Sequence, residues 1–146
     1  MKRILVAVDD SSPAMAAAAS AIELASDIDA ELHFVAVTEF DHDLASALRH
    51  VRHLAERAGR RAISSTADGG QPFEVLLRVA NEWQADLIVM GRSDIRRPGV
   101  PYVGSQTEHL LEFTSVPVLV VPQPSHRSRQ RQAKARSPKR DPTPKG

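Results

Sequence analysis

Two glycines and the residues beside them are the first places in this chain where backbone chemistry could be done. Gly91 closes the apolar run Leu87–Met90, and Gly104-Ser105 follows after a loop of about a dozen residues, Arg92–Val103, that contains Pro98, Gly99 and Pro101. Ser105-Gln106-Thr107-Glu108 then opens a helix-like stretch, and Val116-Pro117 leads into Val118–Val121. A glycine-rich loop between the carboxyl end of a strand and the start of a helix is a phosphate-binding arrangement in α/β proteins. The N–H groups of a helix's first turn have no partner within the helix, and the helix dipole adds partial positive charge there. A second group stands after the first apolar run, Arg3–Val8, where Asp9-Asp10-Ser11-Ser12-Pro13 breaks it. Asp9 could accept from a ribose hydroxyl or could simply start the turn, a common role for Asp.

These residues need elements to position them. Arg3–Val8 and Glu31–Val37 (ELHFVAV) are short, continuous, β-branched apolar runs, as expected for strands covered on both faces of a parallel sheet. Arg61–Thr66 is a weaker strand, and Leu87–Met90 and Pro117–Val121 are the fourth and fifth. Four helical stretches alternate with them. The first, mostly alanine, is expected to start with Ser12 as N-cap and Pro13 inside, run to about Ile28, and bury Met15, Ala18, Ala19, Ile22 and Ala25. The second is capped by Asp41 or Asp43, reaches about Ala58, and turns Leu44, Leu48, Val51 and Ala55 inward. Phe73, Leu76, Leu77 and Ala80 mark a third, ending near Trp83, after the turn Asp68–Pro72. The fourth follows Gly104, where Ser105 with Glu108 has the spacing of a capping box. Such alternation implies an open parallel sheet with helices on both faces, and ligands in such folds sit at the carboxyl ends of the strands. At Gly91, the need could instead be only a backbone with positive φ after the strand.

Composition narrows the function classes. The 146 residues suffice for one domain with a real core. The absence of cysteine excludes disulfides and thiolate chemistry, and no apolar run reaches membrane-spanning length. MKRILVAVDD lacks the uninterrupted apolar core and cleavage site of a signal peptide, so a cytoplasmic protein is expected. Met1–Pro122 holds 11 Lys and Arg against 17 Asp and Glu, net −6, whereas Gln123–Gly146 holds 8 against 1, net +7. The acidic domain 1–122 therefore carries a tail, 123–146, whose lack of apolar periodicity reads as disorder. The tail could touch nucleic acid by counterion release, but it has no aromatic residue to stack on bases, and solvation is the simpler expectation. His50 and His53, with His42 earlier, have helical spacing for a metal. Arg49, Arg52, Glu56 and Arg57 around them mark a solvated face instead, so no metal site is assigned. No Ser-His-Asp or paired-carboxylate pattern stands out, which points to binding, or at most a weak ATPase, rather than efficient catalysis.

Three stretches carry a resemblance: ILVAVDDS with Asp9 and Ser11, DLIVMG from Asp86 to Gly91, and the loop that ends in VPVLVV. Over Met1–Pro122 the chain resembles the universal stress protein family. Nucleotide-binding members of that family carry Gly-x2-Gly-x9-Gly-(Ser/Thr); here Gly91, Gly104 and Ser105 match, and Asp94 replaces the second glycine. The resemblance implies a Rossmann-like three-layer α/β/α fold with an open five-stranded parallel sheet of order 3-2-1-4-5 and four helices. It implies an adenine nucleotide, ATP or AMP, with Mg²⁺ a candidate companion, at Ala7, Val8, Asp9, Ser11, Val37, Met90, Gly91, Arg92, Asp94, Gly104, Ser105 and Gln106. In that set Asp9 lies near the ribose, the Val37 backbone against the adenine, and Gly91 and Gly104-Ser105 at ribose and phosphates. It also implies a homodimer through the last strand, Pro117–Val121, whose apolar edge invites pairing.

Asp94 leaves alternatives open. About 5 Å from a phosphate it would cost roughly 3 kcal/mol at an effective dielectric near 20. A bridging Mg²⁺ would reverse the sign. Asp94 could equally point outward to Arg96 or Arg97, which are themselves candidate phosphate partners. The competing reading of the whole chain is a nucleotide-free dimeric interaction protein of the same fold.

Overall fold

The computed structural model describes residues 1–37, 44–92 and 104–123. Asp41, Asp43, Asp94, Arg96, Arg97 and the tail from Pro124 onward lie outside the described residues. Within them the order is β1 (Arg3–Val8), α1 (Ser12–Ile28), β2 (Glu31–Val37), α2 (Ala45–Arg57), β3 (Ala62–Ala67), α3 (Pro72–Trp83), β4 (Leu87–Gly91), α4 (Ser105–Phe113) and β5 (Val118–Val121). All strand pairings are parallel and the sheet order is β3-β2-β1-β4-β5. The five strands, four helices and sheet order are those the family resemblance implied.

Strand alternation divides the core into two layers. Ile4, Val6, Val8, Leu32, Phe34, Ala36, Leu87 and Val89 face α1 and α2, where Ala17, Ala18, Ala21, Ile22 and Ala25 meet Leu48, Val51 and Ala55. Leu5, Val35, Ile88 and Met90 face α3 and α4, packing on Leu76, Ala80 and Leu110. Because α1 and α2 lie on one face and α3 and α4 on the other, the direction of winding reverses between β1 and β4. In a doubly wound sheet the crevice outside those two carboxyl ends is the binding position.

The local expectations need four corrections. Ser11, not Ser12, caps α1: it is extended (φ −83, ψ 155), and its Oγ accepts from Ala14 N–H at 3.3 Å. Asp9 decides this, since its Oδ1 accepts Ser11 N–H at 2.7 Å and fixes the turn one residue earlier. The buried stripe of α1 is Ala14, Ala17, Ala18, Ala21, Ile22 and Ala25, while Ala19 is exposed. A run of near-identical small side chains gives periodicity little to phase on. Leu44 occupies the N-cap position of α2, with no side-chain cap among the described residues, and the expected caps Asp41 and Asp43 lie outside those residues. β3 is displaced by one residue from the expected Arg61–Thr66, and β5 begins after Pro117, which cannot donate to a ladder. His50 and His53 are exposed on α2, beside an Arg52–Glu56 ion pair at 3.2 Å.

The amino edge of the sheet is closed by its own chain. Asp86 Oδ2 accepts N–H bonds from Lys2 at 2.8 Å and Arg3 at 3.0 Å, tying the start of β4 to that of β1. Those two N–H donors hold the Asp86 carboxyl below its ordinary value. Asp86, the first residue of the DLIVMG stretch, thus has a structural task. The opposite, carboxyl edge is where chemistry can be placed.

Candidate functional site at the carboxyl edge

Register brings the expected residues together. β1 pairs with β4 through Ile4–Leu87, Leu5–Ile88 and Val6–Val89, and continuing that register sets Val8 level with Gly91. β1 pairs with β2 up to Val8–Ala36, so Val37 stands level with Asp9. Arg92 N–H donates to Val121 O at 2.8 Å, extending the β4–β5 ladder one residue past Gly91. Each crossover helix of a parallel sheet begins at this same edge, so α1, α3 and α4 all start there, α1 on one face and α3 and α4 on the other. Val8 and Met90 are buried in opposite core layers. Together with the half-buried Ala7 they can offer a ligand only main-chain groups.

Gly91 has a reason that its sequence context did not show. Its φ is not positive, so the turn argument fails. A Cβ at Gly91 would instead meet the C and O atoms of Pro13 at 2.5 Å and its Cβ at 2.8 Å. The missing side chain lets the first turn of α1 sit directly on the end of β4. Gly91 therefore locks the Asp9–Pro13 turn against β4, the two halves of the candidate crevice.

Gly104 is the N-cap of α4, with φ +92 and ψ 145. That backbone belongs to glycine. Ser105 is the first helical residue and is exposed, so the expected capping box does not form: no side chain caps α4 among the described residues. Glu108 N–H makes the first helical bond, to Gly104 O at 2.9 Å. The N–H groups ahead of it in the first turn are those left to an outside acceptor.

Gln106 is committed to a neighbour. Its Oε1 accepts Phe73 N–H at 3.1 Å and its Nε2 donates to Gln71 Oε1 at 3.1 Å. Gln71 provides no side-chain cap of its own to α3, so Gln106 caps α3 from across the helix pair. Phe73 stacks on His109 (5.0 Å between ring centres) and on Phe113 (6.0 Å), continuing the α3–α4 seam. Gln106→Ala should therefore cost about 1 kcal/mol of unfolding free energy, the usual effect of stranding a half-buried N–H. Gln71→Ala, which removes only the exposed partner, should cost less; paired urea titrations measure the difference. Sequence reasoning read Pro13 and Phe73 only as helix residues and Gln71 only as part of a turn, because the partners Gly91 and Gln106 are distant in the chain.

The site thus unites Asp9 and Ser11 at the end of β1, Gly91 and Arg92 at the end of β4, Val37 at the end of β2, and Gly104-Ser105 at the head of α4. Asp94 lies outside the described residues. The fold is that of a doubly wound α/β protein whose winding reverses between β1 and β4. The universal stress protein family model matches residues 1–122, and the chain belongs to that family. A universal stress protein of Methanocaldococcus jannaschii is 29% identical over 142 residues, covering 84% of this chain and 83% of the relative. Among solved structures, a universal stress protein in complex with cAMP aligns with a TM-score of 0.72 at 23% identity, over 84% of this chain and 97% of that one. One from Archaeoglobus fulgidus in complex with dAMP aligns with a TM-score of 0.68 at 22% identity, over 83% and 98%. One from Burkholderia pseudomallei is 28% identical with a TM-score of 0.65, over 83% and 96%. No helix among the described residues is long and apolar enough to cross a membrane.

Proposed function

We propose that the carboxyl edge binds an adenine nucleotide, ATP or AMP, and holds it with no or very slow hydrolysis. The observation that carries this reading is the head of α4. Gly104 brings the backbone in at positive φ, no described side chain caps the helix, and its first-turn N–H groups remain for an anion. Asp9 supports it. One carboxylate oxygen takes Ser11 N–H and orients the group, while the residue stays exposed and can accept from a ribose hydroxyl. Val37 ends β2 beside it, where its backbone can lie against the adenine. Relatives with cAMP and with dAMP show that the fold accepts adenine nucleotides elsewhere. Titration calorimetry with ATP and with AMP, each with and without Mg²⁺, tests the reading, and no heat at millimolar nucleotide would reject it.

The protein is further proposed to act as a homodimer through β5. That strand ends the sheet order, and its outer face leaves Leu119 exposed with Val118, Val120 and Val121 half-buried; Leu111 of α4 is exposed too. An apolar edge of this kind pairs readily with a second copy. Sedimentation equilibrium that finds only monomer at tens of micromolar would contradict it.

A further inference from the structure

In the strand ELHFVAV a polar residue stands where alternation calls for an apolar one. His33 shares the α3-facing side of β2 with Val35 and is only 8% exposed. Its Nε2 lies 2.8 Å from Ser65 Oγ of β3, and its ring meets Trp83 of α3 edge-on, 5.0 Å between centres at 82°. His33 Nδ1 is buried without a partner, one of two such side-chain atoms among the described residues. In either neutral tautomer one ring nitrogen is served by Ser65 and the other is stranded.

We propose that His33 is an acid-operated latch that holds the corner where β2, β3 and α3 meet and releases it on protonation. A second N–H and a full charge would have to be carried where only Ser65 Oγ is at hand. Among the described residues no neighbour offsets them. β1 contributes Arg3, a cation whose guanidinium already stands 5.6 Å from the Trp83 ring and whose Nη1 donates to Trp83 O at 2.8 Å. Glu31, two residues earlier on β2, is exposed and lies 3.9 Å from Arg3. β3 pairs Ile63 with His33 and supplies Ser65, neither titratable, and Arg61 just before it is exposed. On α3, Glu74, Arg78 and Glu82 are all exposed. The corner is also thinly held, since β3 is an edge strand with no fully buried residue.

The sign follows from burial, which lowers the His33 pKa below its ordinary 6.5. A group that resists protonation when folded contributes its full stability above the unfolded value. That contribution is lost as pH falls through 6.5 toward the folded value, because the unfolded chain takes up a proton that the folded one refuses.

Trp83 is the protein's single tryptophan, so its emission reports this corner alone. The test follows Trp83 emission and the urea midpoint of the full chain from about pH 7.5 to about pH 5, a window in which histidine titrates. Wild type is compared with His33→Gln and His33→Leu. The expected result is a urea midpoint that falls with pH in wild type, with a change in Trp83 emission below pH 6.5, and neither change in the variants. Equal falls in all three proteins would overturn the proposal. If neither variant folds, the ring-proton NMR titration of wild type decides. A His33 midpoint below those of the exposed histidines, with loss of amide protection in β3, supports the latch. An ordinary midpoint with β3 protection unchanged refutes it.

Discussion

Gly91→Ala should lower the unfolding free energy by about 2–3 kcal/mol and weaken nucleotide binding with it. The new Cβ would lie 2.5 Å from two backbone atoms of Pro13, and no side-chain rotation relieves a clash with backbone. The first turn of α1 must lift from β4, a case of overpacking in a filled interior. Ser11 and Asp9 lead directly into that turn, so the ribose side of the crevice moves with it. Gly59→Ala is the matched control. Gly59 has φ +73, so alanine is strained there, yet nothing lies within 4 Å of its Cβ position. That change should cost about 1 kcal/mol from backbone conformation alone and leave binding intact. Chemical denaturation of both variants, followed by nucleotide titration, separates close approach from mere glycine flexibility. Equal losses in the two would show that the Pro13 contact is not limiting.

The second large effect is expected at Gly104. Alanine at φ +92, ψ 145 costs roughly 1–3 kcal/mol if the native backbone is kept. The first turn of α4 can avoid that strain by unwinding, because Ser105 is exposed and no side chain among the described residues pins the cap. Unwinding removes the N–H groups assigned to the phosphates. Gly104→Ala should therefore reduce nucleotide affinity at least about tenfold, equivalent to about 1.4 kcal/mol. Global stability should fall by less than for Gly91→Ala, since Thr107 and Leu110 still anchor the helix. AMP should lose less than ATP, because it brings fewer phosphate charges to that turn. Any slow ATP hydrolysis in wild type should fall in parallel; activity that survives in Gly104→Ala belongs to a contaminant.

Much of this fold can be read from its residues. Continuous β-branched runs marked β1, β2, β4 and β5, and the spacing between them left room only for crossover helices. Even AISSTA, with little apolar content, was locatable because a strand must separate α2 from α3. Local signals misled where a stronger constraint stood next to them. Ser105 has the capping-box spacing, but Gly104 already occupies the cap with a backbone that Ser105 cannot adopt as a helical residue. Ser11 and Ser12 are chemically alike, and only the Asp9 bond to Ser11 N–H distinguishes them. What stayed hidden was tertiary. Gln106 capping α3 joins residues 33 apart, and the Gly91–Pro13 approach joins the ends of elements separated by two strands and two helices. The identity of Gly91 was legible as important, whereas its reason required the packing of α1 on β4. The unsatisfied nitrogen of His33 was likewise invisible, because the sequence shows a polar residue in a covered strand but not that Ser65 reaches just one of its ring nitrogens.

The central claim is that the Gly104-headed turn of α4 and the Asp9 turn form one adenine-nucleotide site. The measurement that tests it most directly is titration calorimetry of the full chain with ATP, set beside Asp9→Ala and Gly104→Ala chains whose folding is confirmed by their urea midpoints. The expected result is saturable 1:1 binding to wild type, weakened by each substitution, with AMP affinity more sensitive to Asp9→Ala than to Gly104→Ala. Absence of heat for ATP and AMP alike, with Mg²⁺ and without, or binding that neither substitution alters, would contradict it.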